Sequence, residues 1–209
     1  MRRVTLDPVD LDIGVLREAA DILRDGGLVG FPTDTIYGLA GDPRNETAVL
    51  KLYQVKSRPA ALAVPIIAAD REQVMRCVRD VTPVASSLMA SFWPGPLSII
   101  MKATLLLDRR ILGEGDSVAM RIPENNIARE LARQFGFPIM ATSANVHGKP
   151  PGVTGKRVYE TLGTKVDLIL DGGAARGGIP STIVDARGEI PMLVRGGAVP
   201  WSRVLDSLQ

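Results

Sequence analysis

The residues of this chain with the most chemical potential are cations and small hydroxyls. Lys56 and Arg58 stand two apart in Val55-Lys56-Ser57-Arg58-Pro59, while Arg121 and Arg195 each belong to an apolar run. Thr33, Thr35, Ser117, Ser143, Ser181 and Thr182 supply hydroxyls, and Asn145 supplies an amide. Such a set suits the binding and positioning of a polyphosphate. Phosphoryl and nucleotidyl transfer need in-line placement and charge neutralisation more than a protein nucleophile. Nucleophile chemistry is poorly served by comparison. The single histidine, His147, lies in a Gly/Pro loop, and the single cysteine, Cys77, lies in an apolar-rich helical stretch. With the only histidine in a loop and the only cysteine in an apolar stretch, no Ser-His-Asp or Cys-His arrangement is indicated, and one cysteine allows no Cys-cluster zinc site and no intrachain disulfide. Gly172-Gly173 and Gly177-Gly178 match neither a Walker A sequence nor G-x-G-x-x-G.

Each clue also has a plainer reading. A lysine at a helix C-terminus is favoured by the helix dipole without any ligand, and the arginine beyond it can simply be solvated. Arg121 is more telling, because a lone arginine is seldom buried unpaired. It meets either a carboxylate of the protein or a carboxylate or phosphate of a ligand, for which its planar fork is suited.

The elements that must position these groups can be read from periodicity. Ala48, Val49, Leu52 and Tyr53 recur at helical spacing from a start at Asn45 or Glu46, and Lys56 is the next member of that row. Pro59 ends the helix and pushes Arg58 toward an extended conformation. Ile13, Leu16, Ala19, Ala20 and Leu23 predict a helix over 12–25, stopped by Gly26-Gly27. Further helices are expected over 70–78, 82–92, 125–135 and 156–162. Apolar runs predict strands over 28–32, 62–68, 97–101, 117–122, 137–141, 166–170, 181–185 and 192–194. Trp93-Pro94-Gly95-Pro96 reads as a rigid turn, and 104–116 as irregular. Strands and helices alternate without strict order, so the expected class is α/β or α+β, with a mixed sheet flanked by helices. Thr33, Ser143 and Arg195 sit at or just past strand ends, where open α/β sheets bind ligands.

Composition bounds the function. The 209 residues suffice for one sizeable domain, and we expect one, over 1–209 with its core at about 13–195. With 45% hydrophobic and 23% charged residues, the composition is that of an ordinary soluble protein. A net charge of +2 is far from that of a dedicated nucleic-acid binder. The basic start is interrupted by Asp7, Asp10 and Asp12, and no apolar run is long enough to span a membrane, so a cytoplasmic protein is expected.

Several short motifs occur together in order: Phe31-Pro32-Thr33-Asp34-Thr35-Ile36-Tyr37-Gly38-Leu39, Lys56-x-Arg58-Pro59, Trp93-Pro94-Gly95-Pro96-Leu97, Val118-x-x-Arg121-Ile122-Pro123, Ser143-Ala144-Asn145 and Pro180-Ser181-Thr182-Ile183-Val184-Asp185. From about Ile13 to Arg195 the chain resembles the YrdC/TsaC family, threonylcarbamoyl-AMP synthases. The resemblance implies a twisted mixed sheet around a large positive cleft. It implies formation of L-threonylcarbamoyladenylate and pyrophosphate from L-threonine, bicarbonate and ATP, toward the N6-threonylcarbamoyl modification of adenosine 37 in tRNA. Lys56, Arg58, Ser117, Ser143, Asn145 and Arg195 would then hold ATP, with Lys56 and Arg58 acting on the reaction as electrostatic clamps. Thr33, Arg121 and Ser181 would hold threonine, Arg121 on its carboxylate. Mg²⁺ is expected on the ATP phosphates, with no protein ligand assigned. The implied partners are the proteins that transfer the threonylcarbamoyl group to tRNA, with a weak contact to tRNA or double-stranded RNA as a further one.

The chain departs from the family pattern at Ala63-Val64, at Ala141 and at Pro151, and it resembles the short, single-domain members. Two other readings compete. One is a double-stranded RNA or tRNA-binding module for ribosome maturation without catalysis, which the charge and the 4% aromatic content disfavour. The other is a carbamoyltransferase, whose zinc-finger segments a chain with one cysteine cannot supply.

Overall fold

The computed structural model describes residues 2–57, 59, 62–175 and 178–209. In chain order the strands are β1 (Arg2–Thr5), β2 (Val29–Phe31), β3 (Gly38–Ala40), β4 (Ile66–Ile67), β5 (Val78–Arg79), β6 (Leu97–Ala103), β7 (Ser117–Arg121), β8 (Ile139–Met140), β9 (Thr142–Ser143), β10 (Leu168–Asp171), β11 (Thr182–Asp185) and β12 (Met192–Arg195). The helices are α1 (Ile13–Arg24), α2 (Glu46–Lys56), α3 (Arg71–Cys77), α4 (Pro83–Phe92), α5 (Asn126–Phe135), α6 (Gly155–Leu162) and α7 (Trp201–Asp206).

Helix starts follow from side chains that accept the first free amides. Asp12, Asn45, Asp70, Thr82, Asn125 and Thr154 each bond the backbone N–H three residues on. Gly136, at φ 79, closes α5 in the left-handed conformation that glycine adopts without strain. Helix α1 buries Leu16, Ala19, Ala20 and Leu23, the stripe expected from its spacing.

The α/β class with mixed strand directions holds, but the pairing divides into two sheets. Five strands run in the order β1-β10-β2-β3-β9, and seven in the order β12-β11-β6-β7-β4-β8 with β5 also on β6. The segment 137–141, which reads as one buried strand, is instead split between them. β8 pairs with β4 in one sheet and β9 pairs with β3 in the other. Ala141 alone separates them, its amide bonded to the Pro65 carbonyl at 2.8 Å. The apolar run 62–68 forms a strand only at Ile66–Ile67.

Pairing across the centre of the larger sheet sets up the site. β6 and β7 are antiparallel, with Ile99 opposite Met120 and Lys102 opposite Ser117. β11 runs parallel to β6, pairing Ile183 with Ser98. β4 runs parallel to β7, pairing Ile67 with Arg121. No helix among the described residues is long and apolar enough to cross a membrane.

Candidate functional site

A cleft of about 360 Å³ opens where the two sheets meet. The smaller sheet contributes Gly38, Thr142 and Ser143, and the larger contributes Ile67, Ser98, Arg121 and Ile183. The 33–37 loop closes one wall, and Ser181 and Arg195 another. This volume lies in the range of small-molecule sites.

Thr33 organises its loop. Its hydroxyl donates to the Ile36 carbonyl at 2.6 Å and accepts from the amides of Thr35 and Ile36. Thr33 therefore lines the cleft as the keystone of a tight turn, and that turn carries Asp34 and Thr35 toward Arg121. Tyr37 fixes the other end of the loop, since its hydroxyl shares its proton between Gly173 O at 2.6 Å and Asp171 Oδ1 at 3.0 Å. Burial, then the Asp171 charge, raises its pKa and keeps it protonated.

Arg121 is buried at the end of β7. Its Nη2 lies 3.4 Å from Asp34 Oδ1, and its Nη1 donates to Thr35 Oγ1 at 3.4 Å. Both contacts are long, and a guanidinium has five N–H groups. Among the described residues, neither Asp34 oxygen has a hydrogen-bond partner. The carboxylate thus supplies counter-charge while leaving most of the fork's donors uncommitted. Burial lowers the Arg121 pKa, the Asp34 charge opposes this, and nearby Arg195 reinforces it. Two cations therefore face one cleft. Arg195 reaches it from β12, donating from Nη2 to Ser181 O at 2.7 Å and Ser181 Oγ at 3.2 Å. Partial burial lowers its pKa too.

Lys56 is 1% exposed. Its ammonium donates to Asn145 O at 2.9 Å, to Asn145 Oδ1 at 3.2 Å and to the Ser143 carbonyl, with Ser143 Oγ at 3.5 Å. Ser143 Oγ in turn donates to Asn145 Oδ1 at 2.5 Å, and Asn145 Nδ2 donates to Lys149 O. The end of α2 is thereby locked to the 143–145 turn. Ser143 itself lines the cleft. Lys56 and Asn145 stand directly behind it.

Thr33, Arg121, Ser143, Ser181 and Arg195 thus line one cleft, and Lys56 and Asn145 buttress it. Ser117 lies apart, at the far end of β7 from Arg121, where it bridges Gly113. Arg58 lies outside the described residues. Ser98 lines the cleft but was not read as a site residue: a lone serine in an apolar strand carries little signal of its own. Thr182 is turned away, bonded to Val199 on both sides. The three departures in sequence, Ala63, Ala141 and Pro151, all line the cleft. His147 is exposed, and burial pushes the Cys77 thiol up to about 12, so neither joins the site. Among the described residues, no group of three His, Cys, Asp or Glu side chains could hold a metal ion.

The arrangement can hold an anion with a small polar body. Known proteins share the fold. The family named Sua5_yciO_yrdC, described as telomere recombination, matches residues 21–197. The threonylcarbamoyl-AMP synthase of Pyrococcus abyssi is 37% identical over 90% of this chain and 56% of its own length. That of Bacillus subtilis is 35% identical over 90% of this chain and 55% of its own. The chain therefore spans about half the length of these curated relatives. A crystal structure of P. abyssi Sua5 complexed with L-threonine superposes with a TM-score of 0.94, at 34% identity, over 99% of this chain and 60% of that one. By sequence across most of its length, and by a fold that brings its motifs together in one cleft, the chain belongs to the Sua5/YciO/YrdC family.

Proposed function

We propose that this chain forms L-threonylcarbamoyladenylate and pyrophosphate from L-threonine, bicarbonate and ATP, by nucleotidyl transfer. The observation that carries this reading is Arg121, a buried guanidinium whose donors stay largely uncommitted and which faces a cleft rimmed by Arg195 and Ser181. That is a receptor for a small carboxylate beside a second cation fit for phosphate. A relative of the same fold is seen with L-threonine.

In this reading Arg121 and Ser181 hold the amino acid's carboxylate and polar body, on the turn that Thr33 fixes. The threonine nitrogen adds to bicarbonate with loss of water, giving a carbamate. A carbamate oxygen attacks the α-phosphorus of ATP, and the bond to pyrophosphate breaks. Because the nucleophile belongs to the substrate, the absence of a catalytic histidine or cysteine is no obstacle. Ser143 and Arg195 hold the phosphates, Lys56 and Asn145 fix Ser143 from behind, and Arg58 adds a further cation toward the same ligand. Ser117 meets the nucleotide farther along β7. Fixed cations here offset the charge that grows on phosphorus and on the leaving group. A Mg²⁺ on the ATP phosphates would supply further charge neutralisation there, with no protein ligand assigned to it. The product is a reactive mixed anhydride, so proteins that pass its acyl group to tRNA are the implied consumers.

Calorimetric titration with L-threonine tests the carrying observation. The wild type should bind, and Arg121→Lys, which keeps the charge beside Asp34 but loses the fork, should bind about ten- to a hundred-fold more weakly. Equal binding by both would remove Arg121 from the site, and no binding by the wild type would contradict the reading as a whole.

A further inference from the structure

The floor of the cleft is one row of side chains across the larger sheet. Register places Ile183 beside Ser98 and Arg121 beside Ile67. The β6–β7 ladder has Ile99 opposite Met120, so the next position along it sets Ser98 opposite Arg121. Side chains across a pair share one face, with Cβ atoms roughly 5 Å apart. The row therefore reads Ile183, Ser98, Arg121, Ile67: apolar, hydroxyl, guanidinium, apolar. All four line the cleft.

Ser98 is the one neutral polar group in that row, and it is buried. Its Oγ lies 3.0 Å from Ser181 Oγ, which also accepts from Arg195 Nη2 at 3.2 Å. The two serines hold two hydroxyl protons, and their mutual bond uses one. Among the described residues the other has no acceptor, although a buried hydroxyl is normally satisfied. The remaining proton and the unused lone pairs belong to the strand beside that of Arg121, whose backbone runs about 4.8 Å away, and they line the same cleft as its guanidinium. In a β-hydroxy amino acid the carboxylate and the side-chain hydroxyl are separated by only three bonds. A carboxylate on Arg121 therefore brings that hydroxyl over Ser98, with Ile183 beyond to receive a methyl group.

We infer that Ser98, paired with Ser181, reads the β-hydroxyl of the amino-acid substrate and is the residue that selects a hydroxylated side chain over an apolar one. The inference rests on the synthase reading and adds the basis of its amino-acid selectivity. A site built to bond a substrate hydroxyl rejects the analogue lacking it, because its own polar groups are then left unpaired. The apolar neighbours Ile67 and Ile183 alone would barely discriminate, since a hydrophobic pocket separates such near-isosteres weakly.

The test compares L-threonine with L-2-aminobutyrate, which keeps the carbon skeleton and lacks the hydroxyl. Amino-acid-dependent pyrophosphate release gives kcat/KM for each, in wild type, Ser98→Ala and the near-isosteric Ser98→Cys, with thermal unfolding as the check on folding. The wild type should prefer threonine strongly. Both variants should lower that preference about ten- to a hundred-fold. Most of the change should come from KM for threonine, while the rate with 2-aminobutyrate moves little. Should Ser98→Ala fail to fold, Ser98→Cys decides. A preference that survives, or equal losses with both amino acids, overturns the inference and leaves the synthase reading intact. A wild type that releases no pyrophosphate with either amino acid removes both.

Discussion

At the scale of single residues, the site is built from groups whose sequence signals differ in strength. Arg121 was legible because a cation inside an apolar strand needs a partner, and the sequence left open whether that partner was protein or ligand. The structure sets Asp34 at 3.4 Å on one side and opens the guanidinium to the cleft on the other. Lys56 shows what spacing cannot reveal. The family resemblance implied an electrostatic clamp on ATP, while its place in the apolar row of α2 was compatible with a plain helix end. The ammonium is instead enclosed and committed to oxygens of Ser143 and Asn145. Lys56→Met should leave Asn145 O without this donor, at about 1–3 kcal/mol for a buried unsatisfied oxygen, while Asn145 Oδ1 keeps Ser143 Oγ and the Ser143 carbonyl keeps the Asn145 amide. For a chain of this size that lowers the melting temperature by roughly 2 to 12 °C, read by calorimetry. Substrate affinity should fall as the 143–145 turn loosens. An unchanged melting temperature would return Lys56 to a purely electrostatic role.

Elements were read best where local chemistry decides them. The six side-chain caps, the stop at Gly136 and the amphipathic stripe of α1 all follow from nearest neighbours along the chain. What the sequence hid was long-range. β3 is three residues of Gly-Leu-Ala, with no alternation to mark it, and it exists because β2 and β9 flank it. The strand expected over 137–141 changes sheets at Ala141, a switch that no periodicity encodes. Strand β3 also ties the core to the site, since Gly38 pairs with Ser143. A Cβ at Gly38 would stand 2.7 Å from the Phe31 ring. Gly38→Ala should accordingly destabilise by about 1–3 kcal/mol through overpacking. It should also weaken ATP binding by displacing β9, an effect that urea denaturation and nucleotide titration would separate. A variant as stable as wild type would show that the Phe31 ring yields without moving the strand.

For the whole molecule, the two sheets matter through their junction. The cleft draws its floor from one sheet and a wall from the other, so a ligand seated in it would touch both. The charge balance of the chain, +2 overall, conceals this concentration of cations, because Arg121 and Arg195 are gathered only by the fold. Composition alone therefore disfavoured a dedicated nucleic-acid binder without pointing to a cleft for anions. The central claim is that this cleft joins threonine, bicarbonate and ATP. The most direct measurement is pyrophosphate release by the purified chain with Mg²⁺ and ATP, with threonine and bicarbonate each omitted in turn, and with the nucleotide product identified by mass spectrometry. We expect release that requires both and a product of the mass of threonylcarbamoyl-AMP. Release that persists without threonine, or AMP as the sole nucleotide product from the start, would contradict it.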